Sequence, residues 1–402
     1  MHGMTTLQTL FRTLIVAGLF ALLGTGACHA NTAGAVVSIG GALRDDNHEV
    51  WGRVVQLAGG KGARFVVLAT ASDDPDRSAA AIIRLLEAQG AVAEHVRVAP
   101  RIEGMDLAAA VRQPRWIAMV AAANGVYFAG GDQSRLVDTL APAGVRSPLL
   151  NAIWDLHRRG GVVAGSSAGA AVMSEVMFSG GEPLAVMKGS AGVVHRNGLG
   201  FIRSGVLVDQ HFLKRGRIGR LLPTLMSQKM ALGLGIEEDS AVVIRGDEVE
   251  VIGSRGALFV DMSDALVDPQ LADFNVRSAR LNFLAKGDRL NLATRVVSSA
   301  RSQPMAMSAT QAKAYFLDIL GDNSIVHAME NVLLGPAGEC RGLAFAFKPT
   351  AAGALADLGF DWRLYKSADT AGWSGAGTST LVNVRLDIVP IRVAPARAHA
   401  SD

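Results

Sequence analysis

One short stretch, residues 161–173, constrains the fold more than any other part of the sequence. It reads Gly-Val-Val-Ala-Gly-Ser-Ser-Ala-Gly-Ala-Ala-Val-Met, so an apolar run enters a turn of small residues and an alanine-rich segment follows. This pattern predicts a strand, a sharp turn and a helix, with Ser167 at the turn. Glycines two residues before and after the serine permit the strained backbone that such a turn requires. We therefore expect the Ser167 hydroxyl to project from the strand end as a nucleophile.

The chain on both sides of this turn alternates apolar β-branched runs with segments of helical spacing. Strands joined by helices pair in parallel through right-handed crossovers, and the helices then cover both faces of the sheet. The predicted fold class is therefore α/β, with a mainly parallel sheet sandwiched by helices. The expected strands are 35–39, 64–69, 94–98, 125–128, 206–212 and a run from 232 into the acids at 237–239, and the expected helices are 47–58, 77–89 and 221–230.

The remaining segments carry weaker patterns. Short apolar runs around glycine turns predict antiparallel hairpins that close the sheet edge at 242–244, 248–252 and 257–260. A glycine-rich loop is expected over 177–196, and a linker over 294–307, where the composition turns to Ser, Arg and Pro. Beyond the linker we expect helices at 309–320 and 323–333, a loop at 366–377 and a strand at 380–393.

Composition narrows the class of protein. The chain has 402 residues, half of them apolar and 19% charged, which is typical of one large globular domain or two smaller ones. A net charge of +3, spread along the chain, is too small to indicate a nucleic-acid partner. No His-Glu-x-x-His and no cysteine and histidine spacing of metal type occurs, so we expect neither metal nor cofactor.

The first thirty residues differ in kind from the rest. Arg12 precedes an apolar run over 14–23, and small residues follow up to Ala30. This pattern predicts a signal peptide, residues 1–30, and export to the periplasm or the medium without stable membrane insertion. An uncleaved anchor and acylation of Cys28 are the alternatives. After cleavage Cys340 is left alone, so no internal disulfide can form, and we expect a buried structural cysteine rather than a nucleophile.

Polar residues follow several of the predicted strands. Gly130-Gly131-Asp132-Gln133 could present amides and the Gln133 side chain to a ligand, or Asp132 could simply cap the next helix. His211 ends a strand beside Asp209 and Gln210, where a base or a structural histidine is possible. Three acids end the next strand, and because strand side chains alternate in direction only one of Glu237 and Glu238 can reach His211 from the strand.

An arginine segment lies between these two strands. Arg215, Arg217 and Arg220 cannot all line one helical face, so at least one projects from the preceding loop. They form either a solvated basic turn or a guanidinium cluster for substrate carboxylates. A serine hydroxyl needs a nearby base and an acid behind it. The chain order here is serine, histidine, acid, whereas ordinary α/β-hydrolases have serine, acid, histidine, which argues against an esterase.

With these motifs in this order, the chain resembles cyanophycinase in its secreted form, within a serine peptidase group that includes the aspartyl dipeptidases. The resemblance covers about residues 34–262. It implies a fold similar to the class I glutamine amidotransferase domain, with a catalytic α/β domain over 31–295 and a C-terminal extension of unknown role over 296–402. It also implies hydrolysis of the polyaspartate backbone of cyanophycin from the chain end, which releases β-aspartyl-arginine dipeptides.

The resemblance also assigns roles to residues. Ser167 would be the nucleophile, His211 the general base and Glu238 the acid, while the amides of Gly131 and Ala168 would bind the oxyanion. The positions that match its substrate pocket are Gln133, Asp209, Gln210, Arg215, Arg217 and Arg220. A homodimer is possible. Two other functions stay open: a dipeptidase for small aspartyl or isoaspartyl peptides, and an inactive protein that binds an acidic polymer.

Overall fold

The fold is described from a computed structural model, which covers residues 34–305, 315–346, 358–375 and 377–392. The predicted signal peptide lies outside these residues, as does the first half of the helix expected at 309–320. No helix within the described ranges is both long and apolar enough to cross a membrane.

The first large sheet carries the parallel strands that the sequence predicts. Nine strands of the described residues form it, in the order β15-β14-β11-β10-β1-β5-β4-β2-β3. Neighbours from β1 to β3 in this order are parallel, whereas the four strands before β1 pair antiparallel. The bounds are β1 Val36–Ile39, β2 Arg64–Leu68, β3 Val92–His95, β4 Gly125–Phe128, β5 Val162–Ser166, β10 Ser240–Arg245, β11 Glu248–Gly253, β14 Arg289–Asn291 and β15 Val297–Ser298.

A second large sheet, mostly antiparallel, was not predicted. Within the described residues its main path is β17-β18-β19-β21-β13-β12-β9-β8, with β16 and β20 attached beside β21. Only β8 with β9 and β17 with β18 pair in parallel along this path. The bounds are β8 Val206–Gln210, β9 Leu232–Ile236, β12 Ala257–Asp261, β13 Val276–Leu284, β16 Gln303–Pro304, β17 Tyr315–Phe316, β18 Glu339–Ala344, β19 Leu358–Tyr365, β20 Ala371–Gly375 and β21 Thr378–Arg392; a separate hairpin pairs β6 Val176–Phe178 with β7 His195–Asn197.

Helices begin where polar side chains cap them. The side chains of Asn47, Asp74 and Ser147 each accept a hydrogen bond from the backbone amide three residues on, which satisfies a donor that the helix itself leaves free. The helices of the described residues are α1 His48–Leu57, α2 Pro75–Ala88, α3 Leu107–Ala110, α4 Pro114–Ala122, α5 Gln133–Leu140, α6 Pro148–Arg158, α7 Ala168–Ala171, α8 Pro183–Met187, α9 Ile218–Ser227 and α10 Ser324–Leu334.

Three apolar clusters hold these layers together. Side chains alternate across β1, so Val37 packs with α1 and α2 on one face of the first sheet while Val36 packs on the other. That second cluster joins the first sheet to α4, α5, α6 and to one face of β8 and β9. The third cluster covers the opposite face of the second sheet and includes α9 and α10. The first sheet is therefore covered on both faces.

Several predictions of elements are wrong. The segment 257–260 is β12 of the second sheet rather than a hairpin at the edge of the first. The expected linker at 294–307 contains β15 and β16, which pair with β14 and β20. The expected loop at 366–377 contains β20, residues 315–320 are not helical, and 177–196 includes α8 and two short strands. The errors at β12 and β16 concern strands whose partners lie elsewhere in the chain, as the pairing of Ala257 with Ile236 and of Gln303 with Ser374 shows.

The C-terminal strands join the sheet that carries the predicted site. β8 and β9 precede His211 and Glu238, and β12, β13 and β21 continue the same sheet into residues 378–392. The second sheet therefore contains strands from both sides of residue 295. That catalysis is confined to residues 31–295 stays a prediction. Cys340 is buried in β18, and burial raises the pKa of its thiol to about 11, which suits a structural cysteine.

Candidate active site

Ser167 stands on a strained turn between β5 and α7. Its φ of 53° and ψ of −111° lie in a region that side chains rarely adopt. Close packing explains the two flanking glycines, because a Cβ on Gly165 would lie 2.5 Å from the carbonyl oxygen of Gly169, and one on Gly169 would lie 2.3 Å from that of Phe128. The turn leaves Ser167 half-buried and places the Ala168 amide at the first position of a helix, where amides lack intrahelical acceptors.

A continuous chain of hydrogen bonds links three of the predicted residues. The Ser167 Oγ lies 3.0 Å from Nε2 of His211, and the His211 Nδ1 lies 2.7 Å from Oε1 of Glu238. Both contacts are within hydrogen-bond reach. This arrangement allows the imidazole to take a proton from the hydroxyl while the carboxylate holds the ring in one tautomer.

The backbone around His211 holds the ring in place. His211 has a positive φ of 47°, and its amide donates to the carbonyl of Gly40 over 2.7 Å. Gly41, with a φ of 104°, lies against the ring, since a Cβ there would be 2.3 Å from Cε1 and Nε2. The glycine turn after β1 is therefore a wall of the site. The sequence gives no sign of this contact with the histidine.

The three acids after β9 have different hydrogen-bond partners. Glu238 reaches His211, whereas Glu237 is fully buried and its Oε2 accepts from the amides of Leu213 at 2.5 Å and Lys214 at 3.0 Å. The prediction that only one of the two glutamates reaches His211 is confirmed. Asp239 binds the loop after β1, because its carboxylate accepts from the Arg44 amide and from the side chains of Asn47 and Ser254. Glu238 is thus presented from a turn anchored on both sides.

The electrostatics keep His211 neutral. Burial lowers the pKa of the imidazole below its ordinary 6.5; the hydrogen bond with Glu238 opposes this shift, and the positive charges of Arg215 and Arg217 add to it. A neutral imidazole at neutral pH can accept a proton, which is what a general base requires.

The Gly-Gly-Asp-Gln turn lies beside the serine. A Cβ on Gly130 would be 3.4 Å from the Cβ of Ser167, and Gly131 has a φ of 135° that brings it against the carbonyl of Ala71. Asp132 caps α5 by accepting from the Ser134 amide over 2.8 Å, so the structural interpretation of Asp132 is confirmed. The oxyanion roles of the Gly131 and Ala168 amides stay a prediction.

Two residues predicted to bind substrate form a buried ion pair. The exposed fractions of the Asp209 and Arg220 side chains are 1% and 4%. Arg220 donates Nε and Nη2 to the two carboxylate oxygens at 2.8 and 2.6 Å, and donates Nη1 to the carbonyls of Gly180 and Gly181. Their polar groups therefore already have partners in the protein, and direct contact of either side chain with substrate stays a prediction.

The other predicted residues lie at or near the surface of the site. Arg215 is exposed, and Arg217 is partly buried, donating to the Gln210 carbonyl at 2.5 Å. Burial lowers the pKa of Arg217 to about 10, so it is still cationic at neutral pH. The Gln210 Oε1 lies 3.5 Å from Ser167 Oγ, while Gln133 donates to the carbonyl of Phe178.

Residues 213–217, the arginine loop, contact residues 320–323 of the C-terminal segment, which is the part of the chain after residue 295. The sequence did not predict this contact. Lys214 Nζ lies 2.6 Å from a carboxylate oxygen of Asp322, and the Asn323 amide donates to the carbonyl of Leu213. A Cβ on Gly216 would lie 2.0 Å from the carbonyl oxygen of Leu320. No pattern in the chain marks such a contact, because it joins positions about a hundred residues apart.

Comparisons with known proteins place the chain in a family. The sequence model of peptidase family S51 matches residues 36–252. Cyanophycinase from Trichormus variabilis is 33% identical over 286 residues, which cover 67% of this chain and 89% of that protein. Cyanophycinase from Geminocystis herdmanii is 36% identical over 286 residues, which cover 68% of this chain and 96% of that protein. The solved structure of a peptidase from an acI-B1 Actinobacterium is 21% identical, with a TM-score of 0.48, and covers 65% of this chain and 98% of its own. The chain belongs to peptidase family S51.

Proposed function

We propose that this protein is an exported serine exopeptidase that hydrolyses the polyaspartate backbone of cyanophycin and releases β-aspartyl-arginine dipeptides. The observation that carries the proposal is the hydrogen-bonded chain from Ser167 through His211 to Glu238. The relatives named cyanophycinase support the substrate. A catalytic domain over 31–295 with a fold similar to class I glutamine amidotransferases belongs to the same proposal, as do a cleaved signal peptide and a homodimer.

The reaction follows the logic of other serine peptidases. His211 Nε2 accepts the proton of Ser167 as the oxygen attacks the backbone carbonyl, and Glu238 stabilises the imidazolium that forms. The amides of Gly131 and Ala168 would donate to the oxyanion. The imidazolium then gives its proton to the leaving amine. Water, deprotonated by His211, hydrolyses the acyl-enzyme, and the Ser167 hydroxyl is restored.

The charges around the serine suit a substrate that carries both signs. Every unit of cyanophycin has an arginine side chain, and the chain end and each arginine carry a carboxylate. Arg215 is exposed and Arg217 is close by, so guanidinium groups are available for carboxylates. Glu182 is exposed at the start of α8, and its negative charge partly opposes the lowering of the Arg217 pKa that burial causes, so an acid lies near the same site. Since Asp209 is committed to Arg220, Glu182 is the acid that we assign to the substrate arginine.

The test is product identification. Residues 31–402 incubated with cyanophycin should release soluble β-aspartyl-arginine, identified by its mass, and Ser167→Ala should release none. Full activity of that variant would show that Ser167 is not the nucleophile. Cleavage of small aspartyl or isoaspartyl dipeptides combined with inertness toward the polymer would instead select the dipeptidase. Tight binding of the polymer without turnover would select the inactive binding protein.

A further inference from the structure

A cavity of about 830 Å³ lies beside the turn that carries Glu238 and has no role in the reaction described above. One wall consists of the loop after β1 and of Asp239, which directly follows Glu238. The opposite wall comes from the C-terminal segment and includes Gln303, Ser374 and Thr378. We call it the rim pocket. It is formed in part by residues that lie beyond the match to the family model, which ends at 252.

The rim pocket is lined by charges of both signs in equal number: Arg44, Lys286 and Arg301 against Asp46, Glu49 and Asp239. Four of these six form ion pairs in which Glu49 is half-buried and the other three side chains are exposed. Arg44 pairs with Asp46 at 2.6 Å, and Lys286 pairs with Glu49 at 2.6 Å. Ion pairs at the protein surface contribute little to stability. A ligand with its own cation and anion can therefore exchange partners with them at little cost.

The pocket opens at the same edge of the first sheet as the nucleophile. β5 ends there at Ser166, β1 ends at Ile39, and β10 begins there because it pairs antiparallel with β1. The order β11-β10-β1-β5 puts the pocket, over β10 and β11, two to three strands from Ser167. Strands are spaced about 4.8 Å apart, so the separation is roughly 10–15 Å.

We propose that the rim pocket binds the zwitterionic side chain of a second cyanophycin unit, so that the enzyme holds the polymer at two points. This proposal rests on the proposed function. An extended backbone advances about 3.3–3.6 Å per residue, so the pocket accepts a unit roughly three to four positions from the scissile bond. The guanidinium of that unit binds Asp46 and Glu49, and its carboxylate binds Arg44 and Lys286. The C-terminal segment, which lines this pocket, thereby favours long cyanophycin chains over short fragments.

The test compares long and short substrates with rim variants. Asp46→Lys and Lys286→Glu invert charges on side chains that are 65% and 61% exposed, so neither should disturb folding. The matched controls are Asp155→Lys and Arg158→Glu, an exposed ion pair at the end of α6 that leads into the opposite edge of the sheet. Each enzyme is assayed for kcat/KM on soluble chains of about ten units and on a two-unit fragment, which is too short to reach the pocket.

We expect each rim variant to lose about tenfold in kcat/KM on the long chain, the equivalent of one charged contact, with less than a twofold change on the two-unit fragment. Both controls should behave as the wild type on both substrates. Equal losses on long and short substrates, or no loss on either, would overturn the rim-pocket proposal while the proposed function stands. A wild type that cleaves neither substrate would overturn the proposed function itself.

Discussion

Replacing Gly41 by alanine should greatly reduce activity, because the new methyl group displaces the imidazole ring of His211. The new Cβ would lie 2.3 Å from Cε1 and Nε2 of His211, whereas carbon atoms in contact lie about 3.5–4.0 Å apart. The ring must therefore move by about 1 Å, away from its 3.0 Å contact with Ser167. A misplacement of about 1 Å near reacting groups costs about 10²-fold in rate, and we expect that loss in kcat/KM for dipeptide release from cyanophycin.

The same substitution also strains the backbone, and this effect needs a control. Gly41 has a φ of 104°, and alanine in the left-handed region costs about 1–2 kcal/mol of stability. Gly59 has a φ of 112° and open space around its missing Cβ, so Gly59→Ala carries the same strain without the collision. Unfolding in denaturant should show similar losses of stability for both variants, with activity lost only in Gly41→Ala. Equal activity of the two folded variants would refute the argument that this glycine positions His211.

Two further predictions concern charges. In the pH profile of kcat/KM, the acidic limb reports the pKa of His211 in the free enzyme. Arg215→Ala should move this limb to higher pH, because it removes a positive charge that lowers the pKa of His211, whereas Glu238→Gln should move it to lower pH, because it removes a carboxylate that raises this pKa. Shifts of both variants in the same direction would contradict these effects of charge. Asp209→Ala should lower the free energy of unfolding by about 3–5 kcal/mol, because it leaves Arg220 buried and unpaired; a stable variant with only a raised KM would restore Asp209 as a substrate ligand.

Local patterns were enough to predict the elements that carry the serine. β4 has the predicted bounds, and the strand, turn and helix around Ser167 follow from glycine spacing and β-branched residues within a dozen positions. Local reasoning also gave the expectation that only one of Glu237 and Glu238 reaches His211, although both residues lie beyond the end of β9 at Ile236. These signals are short in range, since backbone conformation and side-chain direction depend on near neighbours.

Contacts between distant segments could not be predicted in the same way. The antiparallel pairing of β12 with β9 and β13 depends on which strands meet in space. The burial of Asp209 with Arg220 depends on how α9 packs against β8. In the sequence alone, an aspartate within a polar motif is equally consistent with a buried ion pair and with a substrate ligand. The contact between Lys214 and Asp322 joins the arginine loop to the tail. Lys214 and Asp322 are 108 residues apart, whereas Asp209 and Arg220 are only 11 apart but lie on different elements, so in both cases the contact depends on tertiary packing.

The central claim is that Ser167 and His211 act as one catalytic unit. Groups that act together lose their effect together, so the losses caused by removing each are not multiplied. The most direct measurement is the rate of β-aspartyl-arginine release from cyanophycin by Ser167→Ala, His211→Ala and the double variant, each checked for folding. We expect each single variant to lose many powers of ten, and the double variant to be no slower than the slower single one. Losses that multiply in the double variant would contradict the claim, as would a His211→Ala enzyme of nearly full activity.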